Sequence, residues 1–168
     1  MKALLLASAM TLVASGCASR GGPPPDTPST ESSAVQQPSV TLYRSPCYAG
    51  CPVYSVSVTA DGLVSYEGRA QVRQRGTATA RIPAARVSRL LAELEAAGYF
   101  AFASRYRPSE PVCGRYVPDA PTVITAARSG NLMKTIEHDH GCGAAPMALR
   151  VLESRIDEVL GSERWTGR

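Results

Sequence analysis

The chain is short of lysine, of large aromatics and of long apolar runs, and each shortage excludes a class of function. Lys2 and Lys134 are the only lysines among 18 basic residues. The arginine excess reads as codon bias rather than as a surface built for a polyanion, and a formal charge of +4, falling to +3 once Lys2 is removed, is too modest for a nucleic-acid binder. The longest apolar stretch, Ala3 to Ala14, is about a dozen residues where a spanning helix needs roughly 20, which excludes a retained transmembrane helix there. There is no G-x-S-x-G elbow, no phosphate-binding loop, no paired zinc motif and no internal repeat. Trp165 is the only tryptophan.

What is present begins with the N-terminus. Lys2, the apolar run and the small residues before Cys17 make a signal peptide over residues 1–16. Ser15-Gly16-Cys17 resembles the bacterial lipobox, with Ala14 where leucine is commoner. The resemblance implies cleavage before Cys17, lipidation of Cys17 and anchorage to a membrane through that lipid; ordinary cleavage near Ala14 is the alternative. Ala18 rather than Asp after the cysteine implies the outer membrane, facing the periplasm. Residues 17–39 are rich in Gly, Pro, Ser, Thr and Gln, including Gly21-Gly22-Pro23-Pro24-Pro25. Such a segment buries too little apolar surface to offset its ordering entropy, so it reads as a tether reaching roughly 25 Å coiled and about 70 Å drawn out.

Residues 40–168 then suffice for one small domain. Val40 to Arg44 alternates as a strand. Val53 to Ala60 sets Tyr54, Val56 and Val58 against Ser55, Ser57 and Thr59. Asp61-Gly62 predicts a two-residue turn, with return strands over Leu63 to Glu67 and Val72 to Ile82. Val87, Leu90, Leu91 and Leu94 follow helical spacing up to a capping Gly98, after which Tyr99, Phe100 and Phe102 plug the core edge. A second hairpin runs from Thr122 to Ala127 and Leu132 to His138 about Ser129-Gly130. A last helix from Pro146 carries Leu149, Leu152, Ile156, Val159 and Leu160 and ends at Gly161. The order strands, helix, hairpin, helix predicts an α+β fold, an antiparallel sheet with two helices on one face.

Several segments are similar to an uncharacterised family of bacterial lipoproteins known only as a domain of unknown function. They are Cys47-Tyr48-Ala49-Gly50-Cys51-Pro52-Val53-Tyr54, Asp119-Ala120-Pro121-Thr122, His138-Asp139-His140-Gly141-Cys142 and the tail Glu163-Arg164-Trp165-Thr166-Gly167. The likeness covers about Val40 to Gly167 and departs at the first helix, which lacks a serine N-cap near Pro83. It implies no activity.

With Cys17 taken by lipid, four cysteines remain, and an even number in an exported domain reads as two disulfides with three possible pairings. The expected pairing is Cys47–Cys51 and Cys113–Cys142. The chain-entropy model gives about 2 kcal/mol for the short loop and about 3–4 for the loop of about 30 residues. A metal site is the alternative: His138, His140 and Cys142 would point one way from an extended strand, and thiolate with imidazole suits zinc or copper. Centring the second hairpin on Ser129-Gly130 places Asp119 opposite His140. The pair reads as a structural hydrogen bond, or less plainly as an acid–base couple with no nucleophile or oxyanion feature beside it.

Trp165 is expected to pack back onto the domain. Tyr48, and Tyr106 and Tyr116 with Arg105, Arg107 and Arg115 in a long irregular segment, are candidate contact residues. The expectation is therefore a membrane-anchored envelope module, not an enzyme and without cofactor, that binds an envelope protein or the cell wall and no nucleic acid. The alternative is a metal-handling lipoprotein using His138, His140 and Cys142.

Overall fold

A computed structural model describes residues 38–167; the expected signal peptide, Cys17 and the tether as far as residue 37 lie outside the described residues. The elements in chain order are β1 (Pro38–Arg44), β2 (Val53–Thr59), β3 (Leu63–Ala70), β4 (Gly76–Arg81), α1 (Ala84–Ala96), β5 (Arg105–Tyr106), β6 (Thr122–Ser129), β7 (Leu132–Asp139), α2 (Met147–Leu160) and α3 (Glu163–Thr166). The strands form one sheet in the order β4-β3-β2-β1-β6-β7-β5. Every pairing is antiparallel except β5 with β7. The fold is α+β, and the sheet stays open.

Alternation decides which face is covered. Val40 and Leu42 of β1, Tyr54, Val56 and Val58 of β2, Val64 and Tyr66 of β3, and Val123 and Ile136 of the β6–β7 hairpin are buried together. They meet Val87, Leu90 and Leu94 of α1 and Leu149, Leu152, Ile156, Val159 and Leu160 of α2 in one core. Both helices therefore lie on the same face, as period-3.6 stripes over a period-2 surface require. Neither helix start has a side-chain cap: Pro83 and Pro146 hold the N-cap positions. Pyrrolidine rings set the extended entry geometry there instead.

The sheet departs from the sequence reading at its joints. Pro38 and Ser39, assigned above to the tether, belong to β1, and Ser39 is buried. The first hairpin closes with Val58 opposite Val64 and a Gly62 amide that donates to the Thr59 carbonyl, so its loop is longer than the expected two residues. Gly62 has φ +89°, and a Cβ there would collide with the Ile82 carbonyl oxygen. The second hairpin pairs Ser129 with Leu132, which puts its turn at Gly130-Asn131 rather than at Ser129-Gly130. That single-residue shift moves every cross-strand partner by two positions. It bears directly on Asp119 and His140.

Candidate functional site

Beyond its last ladder pair, Thr122 opposite Asp139, the β6–β7 hairpin opens at the end of the sheet where both disulfides lie. Cys47–Cys51 closes the loop between β1 and β2, and Cys113–Cys142 joins the segment before β6 to the one after β7. The two loops are tied to each other by backbone. The Tyr48 amide donates to the Asp119 carbonyl, and the Ser45 amide donates to the Thr122 carbonyl. The Ser45 hydroxyl accepts from the Thr122 amide at 2.7 Å. Across the longer bridge, Tyr116 pairs with Cys142, the Val117 amide donates to the Gly141 carbonyl and the Gly143 amide to the Arg115 carbonyl. On this fastened corner Tyr48 is 90% exposed, with Tyr116 and Val117 also outside.

Asp119 does not form the expected pair with His140. The chain joins the ladder only at Thr122; before it, Asp119 turns through a left-handed conformation (φ 68°), and its carbonyl serves Tyr48. The His140 ring goes to the helix layer. Its Nε2 lies 2.7 Å from one oxygen of Glu153, and His138 Nδ1 lies 2.7 Å from the other. His138 and Glu153 are 0% and 1% exposed at their side chains and His140 19%, so only the second ring reaches solvent. The two rings sit 4.6 Å apart. Burial works to raise the Glu153 carboxyl pKa, but the contacts with His138 and His140 outweigh it and hold the group below its ordinary value. Arg150 caps the same corner by donating to the His140 carbonyl.

Cys142, the third ligand in the metal alternative, is bonded to Cys113 and takes no part in this cluster. Its place beside His138 and His140 is filled by Glu153, whose donor oxygen lies within 4.8 Å of the two ring nitrogens. The sequence reading missed Glu153 although a signal for it existed: it stands four residues after Leu149 and three before Ile156, on the buried stripe of α2. The remaining candidates divide. Trp165 packs back on the domain, stacked on Tyr66 at 4.7 Å. Tyr106 is buried, whereas Arg105 and Arg115 are exposed. Arg107 faces Glu110 and Glu137.

One turn further along α2 lies a second polar cluster that the sequence reading did not single out. Asp157 accepts from Arg44 Nε at 2.8 Å, from the Tyr54 hydroxyl at 2.6 Å and from the Ser162 hydroxyl at 2.6 Å. Its acceptors are occupied by groups of the fold itself. It clamps α2 to β1 and β2.

Sheet, helices and stapled corner define the class: an α+β domain whose irregular end is braced by two disulfides. The chain belongs to the family described as Domain of unknown function (DUF6438), whose model matches residues 38–160. That match spans both cysteine pairs, both histidines and Glu153, and stops before the Trp165 tail. No curated protein matches the chain.

Proposed function

We propose that this protein is a lipid-anchored envelope module that uses its stapled corner to hold another envelope protein. The observation that carries the reading is Tyr48, almost wholly exposed on a five-residue disulfide loop that is itself hydrogen-bonded to the second stapled segment. An exposed aromatic on a loop already fixed in place loses little entropy on binding, and such residues anchor interfaces. Tyr116 and Val117 extend the same surface. Two disulfides fit an oxidising compartment, which agrees with the export signal read at residues 1–16. No helix among the described residues is long and apolar enough to cross a membrane, so attachment rests on the lipid expected at Cys17.

The test has two parts. Cys17→Ser should abolish palmitate labelling and release the protein from membranes; a fully membrane-bound variant, with no label on the wild type, sinks the anchor. A photo-reactive phenylalanine at position 48, in intact cells, should form a protein adduct of discrete mass that a Val117→Asp change suppresses. The same probe at Thr79, on the distant edge strand β4, should not form it. Equal adducts at both positions, or capture of cell-wall material alone, overturn the protein-partner reading.

A further inference from the structure

We infer that His138, His140 and Glu153 form a binding site for one divalent transition-metal ion of the zinc class. The argument starts from what a carboxylate is doing at this depth. Glu153 occupies the centre of the apolar stripe of α2, where an aliphatic residue would pack at no electrostatic cost. Among the described residues its side-chain hydrogen bonds go to two imidazoles. A buried carboxylate needs a compensating positive charge, and an imidazole supplies one only while it carries a second proton. A divalent cation between the three groups supplies it.

The donor set suits that ion. Two nitrogens and one carboxylate oxygen are a donor set that zinc accepts with an open fourth position. Ligand bonds of about 2.0–2.1 Å at a tetrahedral angle put donor atoms about 3.3 Å apart. Each ring nitrogen now lies 2.7 Å from a different oxygen of Glu153, and one donor atom from each of the three residues lies within 4.8 Å of the others. A bound ion would draw these atoms to that spacing by side-chain rotation. Strand β7 and the residue after it supply the histidines two positions apart, and α2 supplies the carboxylate, so the ligands come from two packed elements. His140 is the ligand that reaches solvent, its side chain 19% exposed.

A second observation points the same way. His138 Nε2 is buried without a hydrogen-bond partner. The His138 ring stands edge-on to the Tyr106 ring, with centroids 5.7 Å apart and planes at 68°, and if Nδ1 donates its hydrogen to Glu153, Nε2 is a bare lone pair. A metal on Nδ1 moves the hydrogen to Nε2, and an aromatic surface tolerates an N–H better than a lone pair. The donor that the sequence reading sought in Cys142 is thus an oxygen from α2. The disulfide and the metal site do not compete.

The experiment uses the full chain without an affinity tag, stripped with a chelator and titrated with zinc alone and with cobalt(II) alone. The expected result is one equivalent bound below micromolar dissociation constant, a cobalt ligand-field spectrum of low coordination number, and hyperfine-shifted imidazole signals from two histidines. Glu153→Gln and His140→Ala should each weaken zinc binding by at least tenfold, with circular dichroism verifying the fold. The wild-type cobalt spectrum decides the matter even if a variant fails to fold. Absence of saturable binding by the stripped wild type overturns the site, as does binding that survives in a folded Glu153→Gln. Either result leaves the partner-binding reading standing, because Tyr48 cross-linking is read separately.

Discussion

Two carboxylates on one helix, a single turn apart, have been put to opposite uses. Asp157 faces Arg44, Tyr54 and Ser162, with the guanidinium 2.7 Å away and the Arg44 and Asp157 side chains each about one-fifth exposed. Among the described residues Glu153 is paired with two rings, and it is sealed. Arginine is always charged, so the Asp157 cluster is complete as it stands and serves to pin helix to sheet. Imidazoles carry no fixed charge and are good metal ligands, so on the inference above an ion completes the Glu153 cluster. The difference separates a structural ion pair from a site, and burial alone would have misled, since the deeper group is the one with the weaker partners.

The largest expected effect of breaking this comparison falls on the structural side. Asp157→Ala removes the anion from Arg44 and the acceptor from Tyr54 while leaving both in place. Breaking a fully buried pair costs about 3–5 kcal/mol, and the partial exposure here trims that to about 2–3. Urea unfolding of the chelator-treated protein should show this loss. A variant within half a kcal/mol of wild type would mean that the clamp contributes little.

Glu153→Gln should cost less, about 1–2 kcal/mol without metal, because the amide keeps the shape and one acceptor. The comparison sharpens when zinc is added. A ligand at a hundred times its dissociation constant stabilises the native state by about 2.7 kcal/mol. That increment should persist in Asp157→Asn and vanish in Glu153→Gln. An equal increment in both variants would place the metal elsewhere.

The legibility of the two regions differed for physical reasons. Hydrophobic period is a local property, so the strand and helix stripes of the core could be read directly, whereas the cysteine count suggested two bridges and left three pairings open. Cross-strand partners depend on where a turn is centred. Placing the second turn at Ser129-Gly130 instead of Gly130-Asn131 set Asp119 against His140. The error could not be seen locally, because Gly130 is a turn residue under either centring. Nor could strand pairing alone have found Glu153, since its contact with β7 arises from layer packing of residues 13 and 15 positions apart. Its helical phase among Leu149, Leu152 and Ile156 was the available clue. Asp157 gave no comparable clue, because its partners Arg44 and Tyr54 lie 113 and 103 positions away.

The smallest effect offers the most selective reading of the pair, because each carboxylate has a tyrosine beside it that senses its charge. Burial is the main cause that pushes the Tyr99 hydroxyl up to about 12, and the negative charge of Glu153 adds to it. Burial and then Asp157 likewise raise the pKa of Tyr54. A nearby anion disfavours a phenolate, so removing the anion must lower the phenol's pKa, and only part of the shift should go because burial remains. Glu153→Gln should therefore lower the Tyr99 value and leave Tyr54 unchanged, while Asp157→Asn should lower Tyr54 and leave Tyr99 unchanged. Carbon NMR of labelled tyrosine rings, titrated in alkali below the onset of unfolding, resolves the two. The stability consequence has a definite sign. An unfolded tyrosine loses its proton near pH 10 and folded Tyr99 near 12, so its contribution is present below pH 10 and lost as pH rises from there towards 12. If both variants moved both tyrosines equally, the two carboxylates would share one electrostatic environment, and the division between a clamp and a site would fail.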